Sequence, residues 1–541
     1  MDTKIIQQSY KTTERDDILN LLLKRVTAFR KQYRQNIAIL GYEGLGKTTI
    51  IFNLLNRIKN FEILPIYIEV KSGSIAHFAQ NFVGVLLYQF LSKSGEAMEE
   101  GLEVLLNNCR DKIPKTAKVI ASILKLIKEK APDKEIYSSV FDLPQVFFDE
   151  TKKPVLLILD EFHNLDSFVF EAPFIELSNK IMLQKNTMYI LASSATFTAE
   201  DILSRKLSLL FGNFETLKLQ PFDNATAKWF IEERLPNFNI PEILKNFLIF
   251  FTGGYPFYLQ VITNQIKNSC IDTQSKDLNE KILLASISQT LHNDHGILNL
   301  YFNNKHGEIH KNNGSELLNS ILLSISNGQK KASRICAILN KKPQEVNRHL
   351  NKLVQKDIIS RKGAFLYIND TLFSRWLKFV FEKKRGSFNI DYKHAENMFL
   401  EKIRKLLNSF IQESGKSVGL RLKELFEMFE NDIIELDKKK FMLTHFDQID
   451  IKDINSTTVL SAKRLKKWWV CCVENSFVDE AQINYFLAAS KGQKCIKKIL
   501  IALDGIDVNA RLKALDARAW IWNQDTLNEL LAIFEKPRII K

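Results

Sequence analysis

Three glycines within six positions, Gly41, Gly44 and Gly46, are followed directly by Lys47 and Thr48. Because glycine loses more conformational entropy on folding than any other residue, such a cluster needs a reason in the backbone. One reason is a loop that wraps so tightly that its N–H groups point at phosphate oxygens, helped by the N-terminus of the next helix. In that setting a lysine reaches the β- and γ-phosphates of a nucleotide, and a neighbouring hydroxyl ligates Mg²⁺.

The stretch from Gly41 to Thr48 fits the pattern GxxxxGK[ST] without a gap. The apolar run NIAIL precedes it and the helical run TTIIFNLLNRI follows, which is the strand-to-helix setting that this pattern requires. We therefore predict a loop that binds ATP and Mg²⁺, with Thr48 as a metal ligand. The predicted nucleotide-binding residues of the loop are Gly41, Tyr42, Glu43, Gly44, Leu45, Gly46, Lys47, Thr48 and Thr49.

Such a loop needs a carboxylate at the end of a neighbouring strand, and VLLILDEFHNL provides two, Asp160 and Glu161. We predict that Asp160 holds Mg²⁺ through water and that Glu161 polarises the water that attacks the γ-phosphate. Lys47, Asp160 and Glu161 are the predicted catalytic residues of ATP hydrolysis. The next strand, MYILASSAT, ends in Ser193 and Ser194, which either contact the γ-phosphate or are ordinary serines at a strand end.

These residues need a sheet to hold them, and residues 36–221 have the pattern of one. Short β-branched runs alternate with helical stretches, which is typical of a parallel sheet covered by helices. A long helical insert, about residues 75–150, separates the second strand from the third, and the pattern from about 222 to 310 is helical. The strand candidates are NIAIL (36–40), ILPIYIEV (63–70), VLLILD (155–160), MYILAS (188–193) and ETLKL (215–219).

Positive charge is concentrated between residues 315 and 390, where 15 Lys or Arg stand against five Asp or Glu, in a chain of net charge +14. Two helical stretches, ASRICAIL and PQEVNRHLNKLVQK, lead into a hairpin, IISRKGAFLYI. This order predicts a winged helix-turn-helix, with the second helix for the major groove of duplex DNA and the hairpin for backbone phosphates. Such domains also serve as protein-interaction modules. The predicted DNA-binding residues are Gln344, Asn347, Arg348, Asn351, Lys352, Arg361 and Lys362.

The chain also resembles a known family. GYEGLGKTT, LLILDEFHNL, LASSAT and TGGYPFYLQ follow one another as in the archaeal-type ATPases of the STAND branch, near the AAA+ proteins, and the resemblance covers about residues 10–385. It implies five parallel strands around the P-loop, followed by a helical lid. It further implies that Arg15, with Thr13 and Glu14, lies near the adenine and that Pro256 belongs to the lid motif Gly-Tyr-Pro.

One departure from the family concerns arginine. The family often has Gly-Arg after the fourth strand, where this chain reads Phe211-Gly212-Asn213. Arg205 is the nearby candidate for the missing role, although no motif supports it.

The C-terminal part, about residues 392–541, contains FDQIDI, KKWWVCCVEN and KKILIAL, which we predict to be successive strands. Their order resembles a restriction-endonuclease-like domain, in which an Asp and a Glu-x-Lys on adjacent strands bind metal and activate water. The resemblance implies Asp450 and Glu474 as the acids, but Ser476 stands where the lysine belongs. Because cleavage needs a charge-balanced metal site, we expect a degenerate domain without nuclease activity.

Composition adds three expectations. Six cysteines without a CxxC pair or histidines at zinc spacing predict reduced thiols in a cytosolic protein. The polar N-terminal segment predicts no signal peptide, and no apolar run approaches the roughly 18 residues of a membrane span. We therefore expect a cytoplasmic protein that does not associate with membranes.

Together these patterns predict an α/β fold: a P-loop NTPase parallel sheet with a helical lid, then a winged helix, then a degenerate nuclease-like α/β domain. The predicted domains are 1–221, 222–312, 313–388 and 389–541, in that order. The predicted function is a Mg²⁺-dependent ATPase that acts as a nucleotide-controlled switch coupled to double-stranded DNA.

Three alternatives stay open. A replication-initiator or mobile-element ATPase would bind a specific duplex site. A signalling or defence NTPase would use the winged helix as a protein-interaction module. A protein partner and a homo-oligomer are both left open by the sequence. An ATP-gated nuclease would cut DNA.

Overall fold

A computed structural model describes residues 15–92, 101–168, 170–207, 212, 214–310, 316–382, 392–436, 439–454, 457–489 and 495–540. The chain divides into two compact units. The first comprises the described residues up to Pro221 together with Tyr255–Phe257 and Gln355–Asp357, and the second comprises the remainder. The predictions on Thr13, Glu14, Phe211 and Asn213 lie outside the described residues, and so does the segment KKRGSF (383–388), whose composition predicts a linker.

A five-stranded parallel sheet forms the centre of the first unit. Its strands are β1 Asn36–Leu40, β2 Leu64–Glu69, β3 Val155–Asp160, β4 Thr187–Ser193 and β5 Phe214–Lys218. The order across the sheet is β2–β3–β4–β1–β5, and every pairing is parallel. In register, Leu40 pairs with Ser193 and Glu69 pairs with Asp160. The carboxyl ends of β1, β3 and β4 therefore meet at one edge, where ligands of open α/β sheets bind.

Helices connect these strands. They are α1 Asp16–Arg30, α2 Lys47–Arg57, α3 Ile75–Ser92, α4 Leu102–Cys109, α5 Pro114–Lys128, α6 Asp133–Thr151, α7 Pro173–Leu183 and α8 Thr196–Asp201. The predicted helical insert corresponds to α3–α6, whose aromatic side chains Phe82 and Phe141 are fully buried in one core with the sheet. The α/β fold of a P-loop NTPase is thus confirmed, because the order of strands and the strand–loop–helix around Gly41–Lys47 are both those of that fold.

Helices dominate the first part of the second unit. They are α9 Asn224–Arg234, α10 Glu242–Thr252, α11 Pro256–Asp272, α12 Glu280–Leu291 and α13 Ile297–His310. These five helices occupy the stretch predicted as a helical lid, and the GGYP break lies between α10 and α11. Gly253 ends α10 with a φ of 68°, and the left-handed backbone explains the sharp turn.

Three helices and a hairpin follow, and then a short helix. They are α14 Glu316–Ser326, α15 Ala332–Leu339, α16 Pro343–Gln355, β6 Ile359–Lys362, β7 Phe365–Ile368 and α17 Thr371–Trp376. The spacing of Val346, Leu350, Leu353 and Val354 predicts one apolar face for α16. The first three are buried and Val354 is only half-buried. These are the elements expected of a winged helix.

The long helix α18, Tyr392–Ser414, packs on the helices of the predicted lid. The Phe410 ring lies 5.7 Å from that of Phe247 on α10, and Arg404 donates to Glu280 on α12 at 3.0 Å. This helix therefore makes an aromatic contact with α10 and an ion pair with α12.

The remainder of the chain forms a mixed sheet with flanking helices. Its elements are α19 Val418–Glu427, β8 Asp432–Leu436, β9 Lys439–Leu443, β10 Gln448–Ile454, β11 Thr457–Arg464, β12 Lys467–Glu474, α20 Glu480–Ala489, β13 Cys495–Ala502, α21 Val508–Asp516, β14 Trp520–Asn523 and α22 Gln524–Ile533. The main sheet has the order β10–β11–β12–β13–β14, and β8 pairs with β9 separately. Pairing is antiparallel from β10 to β12 and parallel from β12 to β14.

One sequence prediction is wrong here. The strands FDQIDI and KKWWVCCVEN are not successive, because β11 lies between them and pairs with both. The sequence of β11, TTVLSAKR, has polar residues at both ends. Its apolar run is therefore too short to indicate a strand. Its burial comes instead from the neighbouring strands on both sides.

No helix in the described part of the chain is both long enough and apolar enough to cross a membrane. Four of the six cysteines, Cys109, Cys270, Cys471 and Cys472, are buried.

Candidate nucleotide-binding site

The loop between β1 and α2 is shaped by its glycines. Gly44 and Gly46 have φ values of 80° and 87°, a left-handed backbone that side chains with a Cβ rarely adopt. Gly41 is required for a different reason, since a Cβ there would lie 2.9 Å from Leu219 Cβ and 3.1 Å from the Leu219 carbonyl oxygen. The backbone can therefore turn back on itself at the end of β1 and begin α2 at Lys47.

Lys47 is buried inside this loop, with 6% of its surface exposed. Its Nζ donates to the carbonyl oxygens of Gly41 at 2.7 Å and Tyr42 at 3.2 Å. Burial lowers the pKa of Lys47, and the nearby carboxylates, Glu161 first, oppose that shift. The ammonium group is thus held by the loop backbone in a place from which phosphate oxygens can replace the carbonyls.

Asp160 collects three hydrogen bonds at the end of β3. Its Oδ2 accepts from Thr48 Oγ1 at 3.0 Å and from the Tyr67 hydroxyl at 2.9 Å, and its Oδ1 accepts from the Glu161 amide at 3.0 Å. Burial, and then the Asp160 charge, raise the pKa of Tyr67, so its phenol remains a donor. A carboxylate and a hydroxyl in contact are the hard oxygen ligands that Mg²⁺ prefers, and the residues therefore fit this ion.

Glu161 follows Asp160 with a left-handed backbone, φ 53°, which turns its side chain toward the end of β4. Its Oε2 accepts from the amide and from the hydroxyl of Ser194, both at 2.8 Å. His163 Nδ1 lies 3.4 Å from the same oxygen and 2.9 Å from Ser193 Oγ. Burial lowers the pKa of His163, which favours the neutral ring. Both predicted serines thus lie beside the acidic pair.

The same segment reaches a residue that the sequence did not single out, Asp357. Its carboxylate accepts from Thr196 Oγ1 at 3.0 Å and from the Phe197 amide at 2.9 Å, all three residues belonging to the first unit. Burial raises the pKa of Asp357, and these hydrogen bonds oppose the shift. Asp357 also has a left-handed φ of 57°, which asparagine and aspartate tolerate better than other side chains. The only signal in the sequence is an aspartate directly after a predicted helix.

Tyr67 is the second residue missed. It lies on β2, which borders β3 in the sheet, and nothing in the alternation of ILPIYIEV distinguishes its hydroxyl. The order of strands, which brings β2 beside β3 across an insert of four helices, creates the contact with Asp160.

The two residues assigned by family resemblance have different surroundings, and only Pro256 is next to a residue that bonds to the loop. Pro256 begins α11, and the next residue, Phe257, donates its amide to the Gly44 carbonyl at 3.3 Å. Arg15 precedes α1 and donates to the Gln220 carbonyl at 2.6 Å, just beyond β5. Arg205 is 80% exposed in its side chain and pairs with Asp201 at 3.0 Å.

The predicted DNA-binding residues divide into two groups. Gln344, Arg348 and Asn351 are exposed on α16, where Arg361 of β6 reaches across to donate to Asn351 at 3.3 Å and Asn347 at 3.2 Å. Lys352 is half-buried on the same helix. Lys362, by contrast, pairs with Glu529 on α22.

The predicted nuclease acids are not on adjacent strands, which corrects that expectation. Asp450 on β10 faces Ser461 in register, whereas Glu474 on β12 faces Thr457. Glu474 is 1% exposed and accepts from Thr457 Oγ1 at 2.5 Å. Across the ranges that the structure describes, no group of three or more His, Cys, Asp or Glu is placed to hold a metal ion.

Comparison with solved structures finds archaeal proteins of low identity. The Walker-type ATPase PABY2304 of Pyrococcus abyssi is 16% identical, with 68% of this chain and 97% of that chain covered and a TM-score of 0.47. The ORC2 protein of Aeropyrum pernix, in ADPNP–ADP complexes, is 14% identical over 74% of this chain and 99% of that one, with a TM-score of 0.45. The Aeropyrum pernix ORC1 protein in complex with DNA is 11% identical over 67% and 91%, with a TM-score of 0.37.

All three TM-scores are below 0.5, so these likenesses carry no conclusion about function. No protein-family model matches the chain, and a comparison with curated proteins finds no match.

Proposed function

We propose that this protein binds ATP with Mg²⁺ and hydrolyses it. The observation that carries the proposal is the hydrogen bond of 3.0 Å between Thr48 and Asp160, which brings the loop hydroxyl and the carboxylate of β3 together beside Lys47. In the P-loop fold these are the groups that hold the metal and the phosphates. When bound, Mg²⁺ neutralises charge on the β- and γ-phosphates.

Each side chain has a role in this proposal. Lys47 leaves the loop carbonyls and binds phosphate oxygens, and Thr48 and Asp160 hold the metal. Glu161 orients the attacking water and accepts its proton, which requires a carboxylate that is already aimed by other groups. Ser194 orients the Glu161 carboxylate through its two hydrogen bonds. The neighbouring His163 is neutral in this proposal, so it does not form a charged pair with that carboxylate.

We further propose that nucleotide state is passed to the winged helix through the end of β4. Ser194 is bonded to Glu161, and two and three residues later Thr196 and Phe197 hold Asp357. In the chain, Asp357 lies two residues beyond Gln355, at which α16 ends. A shift of Ser194 that accompanies loss of the γ-phosphate is thereby felt at the base of α16. This is the two-state element that an ATP-controlled DNA-binding switch needs.

A second candidate function is a signalling or defence NTPase whose winged helix binds protein. One observation favours it: the hairpin β6–β7 already makes protein contacts, among them the pair between Lys362 and Glu529. In that case affinity for DNA would be weak and would lack a steep dependence on salt.

The test is ATP hydrolysis by the wild type and by Lys47→Ala, with and without duplex DNA, over a salt titration. The exposed Lys59→Ala serves as the matched control. Hydrolysis that needs Lys47 and rises with DNA supports the switch. Hydrolysis that needs Lys47 but ignores DNA favours the protein-binding alternative. ATP binding that is the same in Lys47→Ala and in the wild type overturns the assignment of the site.

A further inference from the structure

The hairpin β6–β7, which we call the wing, packs against the strand β8 of the C-terminal part. The Ala364 amide at its tip donates to the Ile433 carbonyl at 2.8 Å. Gly363 has a φ of 65°, and a Cβ there would lie only 2.1 Å from the Ile433 carbonyl oxygen. The tip of the wing therefore meets β8 backbone to backbone, at a distance that only glycine permits.

Basic residues of the winged-helix segment are paired with acids of the C-terminal part. Lys331 lies 2.9 Å from Glu430 and 2.7 Å from Asp432, and Arg334 lies 3.0 Å from Glu430. Lys362 on the wing pairs with Glu529. We call Glu430, Asp432 and Glu529 the acidic face. Contacts with Lys331 lower the pKa of Glu430, as expected of a carboxylate held by a cation.

Apolar and main-chain contacts complete this interface. Phe365 of the wing is 5% exposed, and its ring lies 5.5 Å from that of Phe534. Lys330 Nζ donates to the carbonyls of Ala532 at 3.0 Å and Ile533 at 2.9 Å, at the end of α22, where a helix favours positive charge. The interface between the winged-helix segment and the C-terminal part thus combines ion pairs, main-chain hydrogen bonds and an aromatic contact.

We propose that the acidic face occupies the surface by which the wing and the start of α15 would bind the backbone of duplex DNA, so that phosphates and these carboxylates compete for Lys331, Arg334 and Lys362. Carboxylates bind Lys and Arg as phosphate oxygens do. The helix α16 keeps its exposed Gln344 and Arg348, and Arg361 beside it is exposed as well. Until the acidic face leaves, the chain therefore meets DNA with these residues and without Lys331, Arg334 and Lys362. This inference rests on the proposed DNA binding by the winged helix, but not on ATP hydrolysis.

The test is the affinity of the full chain for a fluorescently labelled duplex, measured by anisotropy over a salt titration. The acidic-face variant carries Glu430→Gln, Asp432→Asn and Glu529→Gln. The control variant carries the same change of charge at exposed acids elsewhere, Glu401→Gln, Glu480→Gln and Asp516→Asn. Because three cations are released to phosphates, the slope of log affinity against log salt should steepen by about 2 to 3 in the acidic-face variant alone. Its affinity at low salt should exceed that of the control at least tenfold.

A second variant changes no charge. Gly363→Ala places a methyl group against the Ile433 carbonyl and should detach the tip of the wing, which hydrogen exchange of the Ala364 amide would report. It should tighten DNA binding as the acidic-face variant does. It also keeps the test decisive if the triple variant does not fold.

Equal affinity of the acidic-face, Gly363→Ala and control chains overturns the inference. If none of the chains binds DNA while ATP hydrolysis still depends on Lys47, the inference falls and the ATPase proposal stands. If the variants bind DNA more tightly and no chain binds ATP, the ATPase proposal falls and the inference stands.

Discussion

Glu161 accepts hydrogen bonds from both the amide and the hydroxyl of Ser194, each at 2.8 Å. The carboxylate proposed to orient the attacking water is therefore fixed by the end of the neighbouring strand rather than by its own. The segment that starts at Ser194 also holds Asp357, through the hydroxyl of Thr196 and the amide of Phe197.

Replacing Glu161 by glutamine should separate binding from hydrolysis. The side-chain amide of the Glu161→Gln variant would still accept from Ser194 but would not take a proton from water, so the hydrolysis rate should fall by about 10²- to 10⁴-fold. ATP affinity should change little, since Lys47, Thr48 and Asp160 are untouched. Steady-state turnover and fluorescent-nucleotide binding check both points, with the exposed Glu171→Gln as control. An unchanged rate would remove Glu161 from the mechanism.

Removing the side chain of Asp357 should uncouple hydrolysis from DNA. Glycine tolerates the φ of 57°, so Asp357→Gly deletes the bonds to Thr196 and Phe197 without straining the backbone. Two lost hydrogen bonds amount to about 2 kcal/mol, so the effect of nucleotide on DNA affinity should shrink by roughly 30-fold. Hydrolysis without DNA should stay near the wild-type rate.

The readout is DNA affinity with ATP and with ADP. Asp357→Asn keeps an acceptor oxygen and should restore part of the coupling. Gln274→Gly, another residue with positive φ, is the control for adding glycine to a turn. Coupling that survives Asp357→Gly would show that the signal takes another route.

Gly41→Ala should destabilise the first unit and weaken nucleotide binding. Its methyl group would meet Leu219 at 2.9 Å, and overpacking of this kind costs about 1–3 kcal/mol. Gly84→Ala is the matched control, because a Cβ at this position would lie 3.8 Å from Leu102, an ordinary contact distance. In a helix, alanine also stabilises the folded state by about 0.5–1 kcal/mol relative to glycine. Thermal unfolding should therefore shift down for the first variant and stay level or rise for the second. A Gly41→Ala chain as stable as the wild type would contradict the tight packing of the loop.

Glu474→Gln should stabilise the C-terminal part more at high pH than at low pH. Burial raises the pKa of Glu474, so the folded state holds its proton at pH values where the unfolded state has lost it. Stability of the wild type therefore declines as pH rises above the usual glutamate value, about 4.3, and through the raised pKa. Glutamine does not titrate, so the stability of the Glu474→Gln variant should not decline in this way. The difference in free energy of unfolding between the variant and the wild type should therefore grow as pH rises from about 4.3 through the raised pKa.

Urea unfolding of both chains between pH 4 and pH 8 measures the difference. The exposed Glu480→Gln is the control and should show no such trend. A constant difference between wild type and Glu474→Gln at every pH would contradict a buried, proton-holding carboxyl.

Elements with a strong local pattern could be predicted from sequence. The apolar runs of β1 and β3 and the amphipathic spacing of α15 and α16 give bounds that agree with the structure to within a residue. The strand β11 could not be found this way, because its burial depends on two partners that are separated from it by turns. The pairing of Asp450 with Glu474 failed for the same reason, since one unseen strand moves the two acids apart.

The sequence by itself determined the glycine-rich loop and the acids at the end of β3, because the glycines, Lys47 and Thr48 act through contiguous backbone and Asp160 ends a strongly apolar strand. Tertiary structure decided which side chains form hydrogen bonds with those acids. The bonds from Tyr67 to Asp160, from Ser194 to Glu161 and from Thr196 to Asp357 join residues far apart in the chain, as does the pair between Lys362 and Glu529. Local propensity fixes where a strand or helix forms, but long-range packing fixes which ends come together, and the proposed control of this protein rests on those ends.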